Sequence, residues 1–217
     1  MGITERRERE KERRRNEIID AAEKVFFAKG LDNATMDDVA EQAELSKGTL
    51  YLYFKNKEEL YLAINERGLQ ILESMFTDAA AKAGSGLEKV YAIGQAYFRF
   101  HHQYADYFNA MIYYESHQID FSDDNSCATA CDKQGEKALQ VLVDAIQTGI
   151  EDGSIRPDVD PLKTAIVLWG QSTGIIQICS LKGAHMEEKH DIRVDEVIGL
   201  SFDIVKRALQ NKQGAEQ

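Results

Sequence analysis

Apolar residues recur along this chain at steps of three and four, the period of a helix, and alternation at every second position is scarce. Ile18, Ala22, Val25 and Phe26 make a first stripe, which Gly30 stops. Met36, Val39, Ala40 and Ala43 make a second, preceded by Thr35, whose hydroxyl suits a helix N-terminus. A brief link through Glu44 and Leu45 leads to Ser46, another cap, and to a helix of about two turns in which Leu50 and Phe54 lie one step apart and turn inward. Asn56 followed by Glu59 signals the next start. From there Leu60, Tyr61, Ile64, Leu72, Met75, Phe76 and Ala79 run as one long helix to the Gly84-Ser85-Gly86 break. Further helices are expected near 87–104, 106–118, 126–151, 161–181 and 194–211. Both prolines, Pro157 and Pro161, fall in one break, where Asp160-Pro161 joins an N-cap to a proline at the first helical position. The fold class is all-α, with about nine helices.

The two short stripes joined by a tight link form a helix-turn-helix, the arrangement that lays its second helix in a DNA major groove, and the first stripe closes a three-helix head over them. With Leu50 and Phe54 inward, Lys47, Gly48, Thr49, Tyr51 and Tyr53 are left around the rest of the second helix. No acid lies between Glu44 and Glu58. Lys47, Lys55 and Lys57 suit phosphates, tyrosine hydroxyls donate to phosphate oxygens, and Thr49 is short enough to approach a base edge or a thymine methyl. Gly48 lets the backbone come close, and Ser46 opens the helix. Taken without its neighbours, the same stretch reads as a solvated face with rim tyrosines.

The ordered features of residues 16–64 decide between those readings. They are Ile18-Ile19, Ala21-Ala22, Phe26 and Gly30; Thr35 with Val39-Ala40; Ser46-Lys47-Gly48-Thr49-Leu50-Tyr51 and Tyr53-Phe54; and Lys57-Glu58-Glu59-Leu60. This run resembles the N-terminal domain of the tetracycline-repressor (TetR) family of bacterial regulators. The resemblance implies that Thr35, Lys47, Thr49, Tyr51, Tyr53 and Lys57 contact DNA, with Gly48 at the close approach. Glu44 departs from the family's usual glycine, so a non-glycine residue is expected to carry a positive φ in the turn. The implied organisation is a helix-turn-helix DNA-binding domain over 1–56, a connecting helix over 57–84 and a ligand-binding and dimerisation domain over 85–217.

Charge changes the picture only when it is located. The net charge is −11 over 217 residues, yet residues 1–60 carry only −2 and the remainder −9. An acidic body repels nonspecific DNA while a basic helix end still engages a site. Residues 4–15 interleave Arg6, Arg7, Arg9, Lys11, Arg13, Arg14 and Arg15 with four glutamates, and two readings stand open: a solvated helical extension, or a basic arm on phosphates or in the minor groove. The longest wholly apolar runs are only a few residues and the N-terminus is charged, so no membrane partner is expected and the location is read as cytoplasmic. Cys127, Cys131 and Cys179 are too few for a disulfide framework. Cys127 and Cys131 can share a helix face, which permits a redox-sensing or metal-sensing function, although small buried thiols are the commoner use of such residues.

Aromatics crowd the stretch from Tyr91 to Phe121, with His101, His102 and His117 as polar tips. They serve either as core or as the wall of a small-molecule pocket. The pocket reading, favoured by the family resemblance, takes Tyr97, Phe98, His101, Tyr104, Phe108, Tyr113 and His117, with Trp169 and Thr173 from the later helix. His101 and His102 point in different directions and their spacing to His117 shows no shared site, so no metal is assigned and no cofactor is expected. The last two helices carry long stripes, with Ile166, Gly170 and Gly174 on one and Val197, Ile198, Ser201, Val205 and Ala208 on the other. The family pairs these helices with their symmetry mates, which implies a homodimer on double-stranded DNA at a palindromic operator, responsive to a small-molecule effector. An all-helical enzyme is the rival class, but no nucleophile motif, phosphate loop or metal-ligand pattern supports a catalytic residue.

Overall fold

The computed structural model describes residues 2–116 and 126–211. Nine helices occupy the described residues: α1 Ile3–Lys29, α2 Met36–Gln42, α3 Lys47–Tyr51, α4 Lys57–Ala81, α5 Gly86–Gln103, α6 Ala105–Ser116, α7 Ser126–Glu151, α8 Pro161–His190 and α9 Val194–Leu209. The all-α expectation holds. Two compact units are formed, one by residues 1–69 with 106–133 and the other by 70–105 with 134–217. The helix α6 and the start of α7, grouped in the sequence reading with the C-terminal domain, thus fall in the unit of the N-terminal residues.

In the first unit, Ile18, Ala22 and Phe26 of α1 meet Val39 of α2, Leu50 and Phe54 at α3, and Leu60 and Ile64 of α4 in one buried cluster. Phe54 and Leu50 are 1% and 0% exposed, so the inward turn inferred from their spacing is realised. The helix α6 joins this cluster through Ala110, whose carbonyl accepts from the Tyr61 hydroxyl at 3.1 Å. The Arg67 guanidinium draws α1 and α4 together by donating to Asp20 at 2.7 Å and Glu23 at 2.9 Å, and the Tyr107 hydroxyl donates to the same Glu23 at 2.7 Å.

The second unit is held where α5 starts. A Cβ placed on Gly86 would sit 2.0 Å from the Gly149 nitrogen, so only glycine lets α5 cross α7 there. Asp152 and Ser154, just past α7, accept from the backbone N–H groups of Gly86 and Leu87 at 2.7 and 3.1 Å, satisfying donors that a helix start leaves unpaired. Asp160 caps α8 by accepting from the Lys163 N–H at 2.9 Å, as the Asp-Pro pair implies. The helix α8 runs nine residues beyond the expected end near 181, because Gly183 is accommodated against Val194 and the helix stops only at Asp191, whose φ is 54°. By length and composition α8 is apolar enough to cross a membrane, with a mean hydropathy of 1.2 over its most apolar stretch, 17% of which is buried.

Candidate nucleic-acid interface

The turn between α2 and α3 closes as the chemistry of its residues requires. Ala43 remains helical, Glu44 takes φ 54°, and the Leu45 N–H reaches back to the Ala40 carbonyl at 2.9 Å. This is a Schellman closure with glutamate at the left-handed position that usually takes glycine. The positive φ expected at Glu44 is therefore present. Thr35 caps α2 by accepting from the Asp38 N–H at 3.2 Å, and Asp38 returns the bond to the Thr35 N–H at 3.0 Å. The Asp38 carboxyl is held below its ordinary range, chiefly by Lys29 and then by Thr35.

Ser46 caps α3, its Oγ accepting from the Thr49 N–H at 3.1 Å and lying 2.8 Å from the Thr49 hydroxyl. Thr49 is thus held in one orientation by its own cap. Only Lys47–Tyr51 is α-helical, five residues where about two turns were expected, and the chain tightens through i→i+3 bonds from Leu52 and Tyr53. Lys47, Gly48, Tyr51 and Lys55 are exposed, with Thr49 and Tyr53 half-buried. Three neighbours were not anticipated. Asp37 pairs with the Lys47 ammonium at 2.5 Å, Leu52 is 80% exposed between the two tyrosines, and the Arg15 guanidinium stacks 5.3 Å from the Phe54 ring centroid. The first and third pair residues far apart in the chain, which periodicity does not reveal; Leu52 was legible as the one apolar residue between Tyr51 and Tyr53.

Lys57 behaves differently from Lys55. Its ammonium donates to the Leu31 carbonyl at 3.0 Å and the Asp32 carbonyl at 3.5 Å, fastening the start of α4 to the loop after α1. The Lys55 side chain is 83% exposed and lies 3.7 Å from Glu59, while Glu59 accepts the Lys55 N–H at 2.8 Å and donates its own N–H to Asn56 at 2.8 Å. The helix start read from Asn56 and Glu59 is realised.

The residues proposed for an effector pocket divide between the units. Phe108 and Tyr113 belong to the first, where Phe108 is buried and the Tyr113 hydroxyl donates to Asp32 at 3.2 Å. In the second, the hydroxyls of Tyr97 and Thr173 meet at 2.8 Å, and one helical turn along α5 His101 Nε2 lies 3.2 Å from the Ser180 hydroxyl. Burial, then the neighbouring His102, lowers the His101 pKa. Phe98 packs against Phe202 at 5.5 Å, Tyr104 stacks on Phe100 at 5.8 Å, and Trp169 is 38% exposed. His117 lies outside the described residues. A groove of about 380 Å³ opens in the second unit between α8, α9 and residues 156–160, lined by Val167, Leu168, Gln171, Ile204, Val205 and Ala208 among others. Of the named candidates it contains only Val205 and Ala208, both expected at a subunit interface.

The cysteines have little thiolate character. Cys131 is 1% exposed, accepts from the Asn65 Nδ2 at 3.1 Å, and burial pushes its thiol up to about 12. Burial likewise raises Cys127 and Cys179. Asn65, beside Cys131, is 1% exposed and its Oδ1 has no hydrogen-bond partner among the described residues. Among the described residues no group of three His, Cys, Asp or Glu side chains is placed to hold a metal ion.

Two family models match the chain: the bacterial regulatory proteins of the tetR family over residues 18–64, and the tetracyclin repressor-like C-terminal domain over residues 90–200. The HTH-type transcriptional repressor KstR2 of Mycolicibacterium smegmatis is 29% identical over 148 residues, covering 68% of this chain and 70% of the relative. The structure of the transcriptional regulator FadR from Bacillus subtilis in complex with stearoyl-CoA aligns with a TM-score of 0.65 at 21% identity, covering 88% of this chain and 97% of that one. AibR in complex with isovaleryl coenzyme A and operator DNA aligns with a TM-score of 0.63 at 17% identity, over 88% and 97% of the two chains.

Proposed function

The chain belongs to the TetR family of bacterial transcriptional regulators, and from that premise we propose that it is a repressor that binds a palindromic operator as a homodimer and leaves it when a small molecule binds. The observation that carries the DNA-reading part is the exposed face of α3, held by the Ser46 cap and the buried Leu50 and Phe54. On that face Thr49 and Gly48 approach base edges, while Lys47, Lys55 and the hydroxyls of Tyr51 and Tyr53 engage phosphates. Thr35 and Ser46 contribute through the helix starts they cap, and Lys57 through the loop it fastens.

Dimerisation is supported by α8 and α9. Ile166, Val167, Leu200 and Ile204 are 47%, 64%, 59% and 53% exposed, and among the described residues nothing beyond its chain neighbours and the adjoining backbone of α8 lies within 4 Å of a Cβ built on Gly170 or Gly174. Apolar stripes of this length on a soluble regulator call for a partner helix, and a twofold mate supplies one. This reading also accounts for the apolar character of α8 without a membrane. A twofold dimer would present its α3 helices to successive major grooves about 34 to 36 Å apart.

For the effector, two of the structurally similar regulators are described with an acyl-coenzyme A bound, which makes acyl thioesters the first class to screen. The polar seam of Tyr97, Thr173, His101 and Ser180 supplies hydrogen-bonding groups between α5 and α8, and Phe98, Tyr104 and Trp169 supply apolar surface near it. An effector acts by binding the two states unequally, and α4, whose residues are shared between the units, is the covalent path to the head.

The test is selection of randomised duplex DNA on the purified protein at near-physiological salt, with the bound fraction sequenced and then challenged with acyl thioesters of graded length. An enriched inverted repeat released by one of them supports the proposal. Folded protein that enriches no sequence removes it. A redox sensor with the same head predicts oxidant-dependent release abolished by Cys127→Ser with Cys131→Ser; the raised thiols predict no difference between that variant and the wild type.

A further inference from the structure

The helix α1 is 27 residues long, and between Thr4 and Glu17 it buries no side chain, Ile18 being fully buried. The twelve residues 3–14, or about 18 Å of helix at 1.5 Å per residue, precede Arg15, which stacks on Phe54 in the core of the head. The charges on this overhang are sorted by face. At about 100° per residue, Arg6, Arg7, Arg9, Lys11, Arg13 and Arg14 fall within an arc of about 200° that admits one acid, Glu10, while Glu5, Glu8 and Glu12 hold the other side.

One line within the basic arc is continuous with the core. Residues 7, 11, 14, 18, 22 and 25 follow one another at steps of four and three, so they share one face of α1. The last three are Ile18, Ala22 and Val25, at most 7% exposed; the first three are Arg7, Lys11 and Arg14. The stripe that packs into the head thus changes from apolar to basic where the head ends, and keeps its direction. At the junction Arg15 stacks on Phe54, the residue that closes the turn after α3, so the root of the basic line stands beside the end of the DNA-reading helix.

We propose that the Arg7, Lys11 and Arg14 line is a second DNA-binding element, which lies along the phosphate backbone flanking the sequence read by α3. The proposal rests on the DNA-reading role of α3. Its ligand is the sugar-phosphate backbone and carries no sequence preference, because point charges on long flexible stems meet phosphates rather than base edges. An overhang of this length spans about five base pairs at the duplex rise of about 3.4 Å. The pairs Arg14 makes with Glu17 at 2.8 Å and Arg13 with Glu17 at 3.6 Å are solvent-exposed and yield readily to a denser anion.

The experiment uses the full-length protein and a duplex enriched from the randomised pool, with affinity measured from 50 to 200 mM salt. The wild type is compared with Arg7→Gln/Lys11→Gln/Arg14→Gln, and with Glu5→Gln/Glu8→Gln/Glu12→Gln as a control for net charge. Loss of three phosphate contacts from each protomer of the dimer lowers the salt exponent by about 5.4, so the wild type loses about 2,000-fold more affinity across that range than the basic-line variant. Lengthening the duplex by about five base pairs on each side strengthens the wild type and leaves the variant unmoved. Thr49→Ala, in contrast, changes which sequences are preferred. An unchanged exponent in the basic-line variant overturns the proposal, as does an equal and opposite change in the acidic-arc variant, which would report net charge alone. A wild type that binds no duplex overturns both this element and the reading of α3, whereas binding with an unaltered exponent removes only the former.

Discussion

The two units dispose of their apolar surface in opposite ways. Among the described residues, thirteen large apolar or aromatic side chains are markedly exposed; two of them, Tyr51 and Leu52, belong to the first unit and eleven to the second. Both of the first unit's stand at the end of α3, while seven of the second unit's lie on α8 or its start and end and two on α9, the rest being Tyr91 and Tyr104 of the preceding segment. The first unit also closes its charges on itself, as Arg67 does with Asp20 and Glu23, and Lys29 with Asp38. The head is thus completed by its own chain and offers a small, polar, shaped face. The second unit is left with an apolar face to be completed by something else.

The contrast is broken most directly on α8 and α9. Val167→Asp with Ile204→Asp places two carboxylates in the groove between these helices, where a pairing mate would strip them of water and bring like charges together. Self-association should weaken by at least about 100-fold, since juxtaposed or unpaired buried charges cost several kcal/mol. Sedimentation would show a folded monomer at micromolar concentration. A dimer of unchanged mass would mean that this exposed face is not the interface, and the difference between the units would need another explanation.

Within the second unit the next largest effect belongs to Gly86→Ala. Its methyl has no place to go, because the obstruction is the backbone of Gly149 rather than a movable side chain. Overpacking of this kind costs about 3 kcal/mol, and here it forces α5 away from α7. Thermal unfolding should show the loss in full, with the wild-type stability recovered at no other single position.

The two lysines at the start of α4 sharpen the account of the head. Lys57→Ala removes a charged donor from the Leu31 and Asp32 carbonyls and should lower stability by about 1 to 2 kcal/mol in urea unfolding, besides any effect on DNA. Lys55→Ala, on a side chain 83% exposed, should leave stability within about 0.5 kcal/mol and weaken DNA uniformly with a smaller salt exponent. Equal stability of the two variants would return Lys57 to the role of a plain phosphate contact.

What the sequence disclosed follows from the range of the interactions. Caps, turns and stripes are written within four residues of one another, so Thr35, Ser46, Asn56 and Asp160 announced the starts of α2, α3, α4 and α8, whereas the positive φ at Glu44 followed only from the family's glycine at that position. Contacts across long separations carry no such mark. The Lys57 bond to Leu31, the Asp37 pair with Lys47 and the stacking of Arg15 on Phe54 each join residues whose spacing is set by the fold. The aromatic stretch shows the same limit. Its composition suggested a single wall, yet Tyr113 hydrogen bonds to Asp32 in one unit while Tyr97 hydrogen bonds to Thr173 in the other, and only the packing of α5 and α6 assigns them. Likewise the helix expected to end near 181 runs on to His190, with Gly183 inside it at the place where Val194 packs.

The smallest expected effect falls on the one place where the head departs from its own economy. Glu44 sits at φ 54°, a conformation costing a non-glycine residue about 1 to 2 kcal/mol, in a Schellman turn whose hydrogen bonds are otherwise made. Glu44→Gly relieves that strain but enlarges the freedom of the unfolded chain by about 0.5 to 1 kcal/mol, so the net gain should be only about 0.5 kcal/mol, read as a small rise in the urea midpoint. The charge change acts separately. Removing a carboxylate from the turn beside Ser46 should strengthen binding to all duplexes modestly and more at low salt, without altering which sequence is preferred. A loss of stability in Glu44→Gly would show that the glutamate side chain makes a contribution larger than its backbone strain, and the head would then owe part of its closure to a residue that its periodicity marks only as a link.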